Sequence, residues 1–236
     1  MQEMDKLAPV KALTFDLFGT VLDLGGSLKP FIEKFLEARQ SAVAPQYFWE
    51  QWRARQRLEQ YQDTIMMLGH SGYLETARRA LVYTLRLNEV PATAAEVENF
   101  MSAWRELKPF PEVLAGLERL ASRYRLVALS NGNPDFLDHL ARNRIQWDFD
   151  AVISVEVAGA FKPHPAVYRK AAALLELEVG ECLMVSANAF DVVGARACGY
   201  RGAYVNRYKL PCEDLPSYQP DLTVDDFVEL AEALVQ

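Results

Sequence analysis

Four short polar clusters hold most of the chemistry available to this chain, and each follows a stretch that reads as a β-strand. Asp16 closes the run Val10-Lys11-Ala12-Leu13-Thr14-Phe15 and is followed by Leu17-Phe18-Gly19-Thr20. Ser130-Asn131-Gly132-Asn133 comes next, then Lys162-Pro163-His164-Pro165, then Ser186-Ala187-Asn188-Ala189-Phe190-Asp191. A carboxylate at the carboxyl end of a parallel strand stands where open α/β sheets bind ligands, and it can act as a nucleophile. The position two residues after Asp16 is Phe18, which can neither transfer a proton nor bind a metal. That leaves the site short of hard oxygen ligands for a divalent ion and of a separate acid. Taken singly, each cluster also has a structural reading: a turn, a helix cap, or a carboxylate complementing a helix dipole. Their succession after consecutive strands favours one shared crevice.

The elements that must position these clusters follow from periodicity. Val10 to Phe15 is a strand. Leu28 to Glu106 is helical in pattern throughout, with segments at Pro30–Ala38, Tyr47–Tyr61, Ser71–Leu87 and Thr93–Leu107, the last opened by a Thr93/Glu96 capping box. Pro109 and Pro111 mark a boundary. Beyond it, strands at Arg125–Leu129, Ala151–Val155, Leu183–Val185, Ala203–Val205 and Leu222–Val224 are interleaved with helices. These helices fall at Asn133–Arg144, Pro165–Leu177, Phe190–Cys198 and Asp225–Leu234. Alternation of this kind implies a parallel sheet covered on both faces. The expected organisation is an α/β core formed by residues 1–22 and 108–236, with an all-helical cap of residues 23–107 inserted after the first strand.

Bulk properties narrow the partners. The 236 residues are 50% hydrophobic and carry a net charge of −7, so a packed globule is expected and a broad nucleic-acid footprint is not. An anionic substrate would need a local positive pocket working against the overall field. Cys182, Cys198 and Cys212 are odd in number and lack CxxC spacing, which favours structural thiols over disulfides or zinc. His70, His139 and His164 are too dispersed for a metal site. Met1–Lys6 lacks the character of a signal peptide, and no segment is long enough to span a membrane, so a cytoplasmic protein is expected.

Together these motifs resemble the haloacid dehalogenase superfamily. The resemblance is carried by Asp16-Leu17-Phe18-Gly19-Thr20, Ser130-Asn131-Gly132, Lys162-Pro163 and the Asp191 cluster, and it extends over essentially the whole chain. Within the superfamily the chain is most similar to the L-2-haloacid dehalogenases, through Trp52-Arg53, through Tyr168 six residues after Lys162, and through Ser186, Asn188 and Asp191 flanked by Gly194-Ala195-Arg196. The resemblance implies a Rossmann-like core with a helical cap, and hydrolysis of short 2-haloalkanoic acids to 2-hydroxy acids without metal or cofactor.

It also implies roles. Asp16 would attack the α-carbon and form an ester. Lys162 would keep Asp16 ionised, and Thr20 and Ser186 would orient it. Ser130, Asn131 and backbone N–H groups near Leu17 and Phe18 would hold the substrate carboxylate, with Arg53 facing the departing halide. Asp191, with Asn188 and Lys162, would position the hydrolytic water, and Tyr168 would orient the lysine or serine. Tyr168 reads equally well as a core aromatic, and Arg53 as a surface arginine in a basic stretch with Arg55 and Arg57.

Phe18, Ala54 and Phe190 depart from the family pattern of tyrosine, glutamine and tryptophan, which puts the substrate's size in question rather than the reaction. The family's dimers leave room for a homodimer here, with Tyr47-Phe48-Trp49 and Trp52 either exposed for it or buried in the cap. Two alternatives stay open: a Mg²⁺-dependent phosphatase of the superfamily, and a silent homologue used in interactions.

Overall fold

A computed structural model describes residues 7–212 and 215–235; the Met1–Lys6 stretch lies outside the described residues. Six parallel strands form one sheet in the order β5-β4-β1-β6-β7-β8. They are β1 (Ala12–Phe15), β4 (Arg125–Ser130), β5 (Ala151–Ser154), β6 (Cys182–Ser186), β7 (Arg201–Val205) and β8 (Leu222–Val224). The central strands β1 and β6 are buried along their whole length, which is why they read as continuous apolar runs rather than alternating ones.

From β1 the chain moves outward to β4 and β5, then returns to β6 and moves the other way. The sheet thus has a topological switch point beside β1, and Asp16 is the first residue beyond that strand. Right-handed crossovers place α5 (Val113–Leu120) and α6 (Pro134–His139) on one face and α7 (Pro165–Leu174) and α8 (Ala189–Ala197) on the other. The packing agrees: α5 lies on α9 (Phe227–Leu234), and α7 on α8.

Between β1 and β4 stand α1 (Leu24–Glu37), α2 (Pro45–Ile65), α3 (Tyr73–Leu87) and α4 (Ala94–Met101), the last continued by a 3₁₀ turn. A short antiparallel pair, β2 (Leu22–Asp23) with β3 (Lys108–Pro109), lies where the chain enters and leaves this block. Trp52 and Trp104 are fully buried at its centre, with ring centroids 5.7 Å apart, and Tyr73 and Phe100 pack on them. Of the aromatic stretch weighed as a surface, Phe48 and Trp52 are buried, Trp49 is half-buried and Tyr47 is exposed.

Two elements depart from the sequence reading. Helix α1 begins at Leu24 rather than Pro30, because Asp23 accepts a hydrogen bond from Gly26 N (2.8 Å) and Leu24, Leu28, Ile32 and Leu36 form a buried stripe. That stripe overrides two glycines and an internal proline of poor helix propensity. Helix α5 is unheralded by the sequence reading, which takes Pro109 and Pro111 before it only as a boundary. Its buried face is Val113, Gly116, Leu117 and Leu120. Gly116 is required there, since a Cβ would lie 2.6 Å from Phe227 Cβ. The histidines take ordinary places: His164 caps α7 through Ala166 N, and His139 bonds Arg105 O.

Candidate active site

The loop that carries Asp16 is fixed from both sides. Asp16 N donates to Val185 O (3.0 Å), extending the β1–β6 ladder one residue past the strand, and the Asp16 side chain is buried at the sheet edge. Gly19 turns the chain at φ +89°, a conformation that disfavours any residue with a Cβ. Asp16 Oδ2 accepts from Thr20 Oγ1 (2.9 Å) and Asn188 Nδ2 (2.9 Å), while Oδ1 faces the Lys162 ammonium at 3.5 Å. Thr20 Oγ1 in turn accepts from Ala187 N (2.8 Å), which locks its rotor so that its proton points at Asp16. From behind, Arg207 Nε donates to Thr20 O and Tyr208 OH to Gly19 O, both at 2.9 Å.

Lys162 is almost wholly buried and bridges two carboxylates, since Asp191 Oδ2 lies 2.9 Å from its Nζ. Tyr168 OH donates to Asp191 Oδ1 (2.8 Å). Burial pushes the Asp191 carboxyl above its ordinary value, against the opposing pull of Lys162, and burial likewise pushes the Tyr168 phenol well up, keeping it a neutral donor. Close approach of α8 makes this possible: a Cβ on Gly194 would lie 2.6 Å from Pro163 Cβ and 2.9 Å from Tyr168 OH. Among the described residues no group of three or more His, Cys, Asp or Glu side chains is arranged to hold a metal ion. The space between Asp16 and Asp191 is taken by an ammonium.

Three expected roles change in detail. Tyr168 touches neither the lysine nor a serine; it bonds Asp191, which holds the lysine. Ser186 Oγ accepts from the Asn188 backbone N–H (3.1 Å) and so fixes the residue whose side-chain amide contacts Asp16, rather than bonding Asp16 itself. Asp191 is 1% exposed, with one oxygen on Lys162 and the other on Tyr168, so its link to Asp16 runs through the lysine.

Opposite Asp16 stands the second cluster. Ser130 Oγ is buried without a hydrogen-bond partner among the described residues, a costly state for a hydroxyl unless a ligand supplies one. The Asn131 amide is oriented by Lys162 N donating to its Oδ1 (3.0 Å) and by its own donation to Gln60 Oε1 (3.2 Å). His70 Nε2 pairs with Asn131 O at 2.8 Å, and burial pushes that imidazole below its ordinary value. Leu17 is buried, and its carbonyl is occupied by Val21 N and Leu22 N. Phe18 stacks on Tyr73 at 3.9 Å between ring centroids, nearly coplanar, and so forms an apolar wall where a hydroxyl would otherwise stand.

An open cleft of about 520 Å³ lies between α1, α2 and the loop after Asp16, and Phe18, Arg53, Ala54, Arg57, Asn188 and Tyr208 line it; it meets Asp16 through Asn188, which bonds that carboxylate. Arg53 reaches inward, donating to Gln56 Oε1 and to Tyr73 OH (3.2 Å), so it faces the site rather than the surface. Phe190 flanks the cleft instead of lining it, packed edge-on against Tyr61 at 6.1 Å. The sequence reading misses Gln60, Tyr73, Arg57, Arg207 and Tyr208. One signal for Gln60 was available. The buried face of α2 runs Phe48, Trp52, Gln56, Gln60, Asp63, an apolar stripe that turns polar without leaving the interior.

This arrangement of a strand-end aspartate, a bridging lysine and a helical block over the sheet edge has known counterparts. The sequence pattern of the haloacid dehalogenase-like hydrolases matches residues 10–199, and the chain belongs to that family. It is 35% identical over 201 residues to an (S)-2-haloacid dehalogenase of Xanthobacter autotrophicus, covering 84% of this chain and 76% of that one. It is 31% identical over 217 residues to haloacetate dehalogenase H-2 of Moraxella sp. (strain B), covering 91% and 93%. Among solved structures, an L-2-haloacid dehalogenase from Xanthobacter autotrophicus with chloropropionic acid covalently bound superposes with a TM-score of 0.79 at 28% identity, covering 94% of this chain and 97% of that one.

Proposed function

We propose that the chain hydrolyses 2-halocarboxylates to 2-hydroxy acids through an ester on Asp16. The observation that carries this reading is the unequal treatment of the two Asp16 oxygens. Oδ2 is saturated by Thr20 and Asn188, while Oδ1 has one long contact to Lys162 and is free to attack. Oδ1 displaces halide in line from the α-carbon, inverting it; the C–X electron pair leaves with the halide, which needs no proton. The substrate carboxylate fills the hydrogen-bonding deficit of Ser130, aided by the Asn131 amide. Arg53 supplies positive charge to the departing halide, which is electrostatic stabilisation where charge develops.

Water then adds to the Asp16 carboxyl carbon, and collapse returns the carboxylate and releases the hydroxy acid, with one proton passing to solvent. Lys162 and Asn188 flank that carbon, and Asp191 and Tyr168 hold Lys162 in place. The covalent chloropropionate in a similar structure and the names of the similar enzymes support the same chemistry. A phosphatase reading fits the residues less well. Phe18 stands where a second acid would be needed to protonate an alkoxide leaving group.

The test is a single turnover with enzyme in excess in ¹⁸O water. Label is expected in Asp16 before it reaches product; label found only in the hydroxy acid would rule the ester out. Chloride or fluoride release from 2-chloropropionate, chloroacetate and fluoroacetate establishes the substrate class, while EDTA-sensitive release of phosphate from p-nitrophenyl phosphate would instead establish the phosphatase.

A further inference from the structure

The cleft holds more cationic charge than removal of one halide from a small monocarboxylate requires. Arg57 stands one turn after Arg53 on the same face of α2 and lines the same cavity. Its Nη2 donates to Asn188 Oδ1 at 3.4 Å, and Asn188 Nδ2 bonds Asp16, so this guanidinium lies two hydrogen bonds from the nucleophile. Among the described residues neither Arg53 nor Arg57 forms an ion pair, although most other arginines on the helical block do: Arg39, Arg55, Arg78 and Arg79 each meet a glutamate or aspartate.

The acids that line the cleft are turned elsewhere. Asp23 caps α1 at Gly26 N, and Glu50 accepts from Gln46 Nε2 (2.8 Å). Lys29, also on the wall, bonds Gln46 Oε1 at 3.3 Å. Arg57 is exposed at the mouth of the cleft, with its guanidinium 5.9 Å from the Phe190 ring centroid, and partial burial together with the charge of Arg53 pushes it below its ordinary value. The cleft along Arg53 and Arg57 offers about 520 Å³ beside Asn188, room for a group beyond the reacting carbon.

We propose that Arg57 binds a second anionic group on the substrate, so that the preferred substrates are 2-halodicarboxylates. This rests on the dehalogenase reading above. The α-carboxylate takes the Ser130–Asn131 subsite, the halide faces Arg53, and the distal carboxylate reaches the mouth of the cleft at Arg57. A charge-assisted contact of this kind favours the dicarboxylate by about 10- to 100-fold in kcat/KM.

The experiment compares (S)-2-chlorosuccinate with (S)-2-chlorobutanoate, equal in chain length but lacking the second charge, on wild type, Arg57→Leu and Arg57→Lys. The readout is the ratio of the two kcat/KM values, because Arg57 also touches Asn188. Wild type is expected to favour the dicarboxylate about tenfold or more. That ratio should collapse in Arg57→Leu and persist in part in Arg57→Lys. If wild type shows no preference, or if both substrates fall together in Arg57→Leu with the ratio intact, Arg57 only holds the Asn188 amide and the proposal is overturned.

Calorimetric binding of succinate against butanoate gives the same comparison without turnover. Halide released from the monoacid without a charge preference defeats this inference alone. Absence of halide from either acid defeats the dehalogenase reading, and the inference with it, unless succinate still binds in an Arg57-dependent manner.

Discussion

Removal of the Lys162 ammonium is the perturbation on which the electrostatics of the site can be judged. Lys162→Met keeps most of the side-chain volume and deletes one charge that lies 2.9 Å from Asp191 and 3.5 Å from Asp16, with both Lys162 and Asp191 about 1% exposed. Removing one partner of a buried pair costs about 3–5 kcal/mol, because the other charge stays buried without compensation. The loss should depend on pH in a defined direction. Burial already raises the Asp191 carboxyl above its ordinary value, and Lys162 is the main influence opposing that rise.

Without the lysine the folded protein holds the Asp191 proton more tightly still than the unfolded chain does. A carboxyl raised in the folded state leaves stability intact below the unfolded value, near 3.9, and removes it as pH rises through the folded value. The variant should therefore lie closest to wild type near pH 5 and fall furthest behind near pH 8, measured by urea unfolding at each pH. Adding Asp191→Asn to Lys162→Met should recover a large part of the loss at pH 8, since the stranded charge is gone. A loss below about 1 kcal/mol, or one equal at both pH values, is incompatible with the buried charge network described here.

Three further outcomes follow from neighbouring contacts. Ser130→Ala removes a buried hydroxyl that has no partner among the described residues, so urea unfolding should change by less than about 0.5 kcal/mol while KM for the 2-haloacid rises about tenfold. Gly194→Ala drives a Cβ to within 2.6 Å of Pro163 and 2.9 Å of Tyr168 OH; a stability loss of about 1–3 kcal/mol with a lowered kcat is expected, and an unchanged kcat would mean that the Tyr168–Asp191 contact is not needed. His70, pushed below its ordinary value by burial while bonding Asn131 O, favours the folded state when neutral. Stability should decline as pH falls from about 6.5 toward its lower folded value, and that slope should vanish in His70→Gln.

The strand ends were legible because each combines a β-branched or apolar run with an abrupt polar cluster, and a parallel sheet converts that order into proximity. Asp16, Lys162, Asn188 and Asp191 come from three strand ends across β1, β5 and β6, and their side chains meet within a chain of contacts between 2.9 and 3.5 Å. Donor direction was not legible. Ser186 bonding Asn188 rather than Asp16 is decided by a single rotamer, and so is Tyr168 bonding Asp191 rather than the lysine. Helix α5 was hidden by the two prolines before it, whose local preference is for a loop, until packing of Gly116 against Phe227 rewards the helix.

The same limit explains why α2 is the least readable element beside the cleft. On a strand, a residue's number fixes which face it occupies. On a helix laid across a sheet edge from another layer, the rotation of the whole helix decides which arginine lines the cleft. Here that rotation is anchored by buried Phe48 and Trp52, with the Trp52 indole donating to Ala77 O at 2.8 Å. It delivers Gln56 and Gln60 inward and leaves Arg53 and Arg57 along the cleft wall, whereas Arg55 turns away to Glu59 and the Tyr83 ring. Of three arginines at alternate positions, two face the cleft and one supports the helix surface. An apolar anchor on the buried face of α2 therefore fixes which guanidinium groups line the cleft.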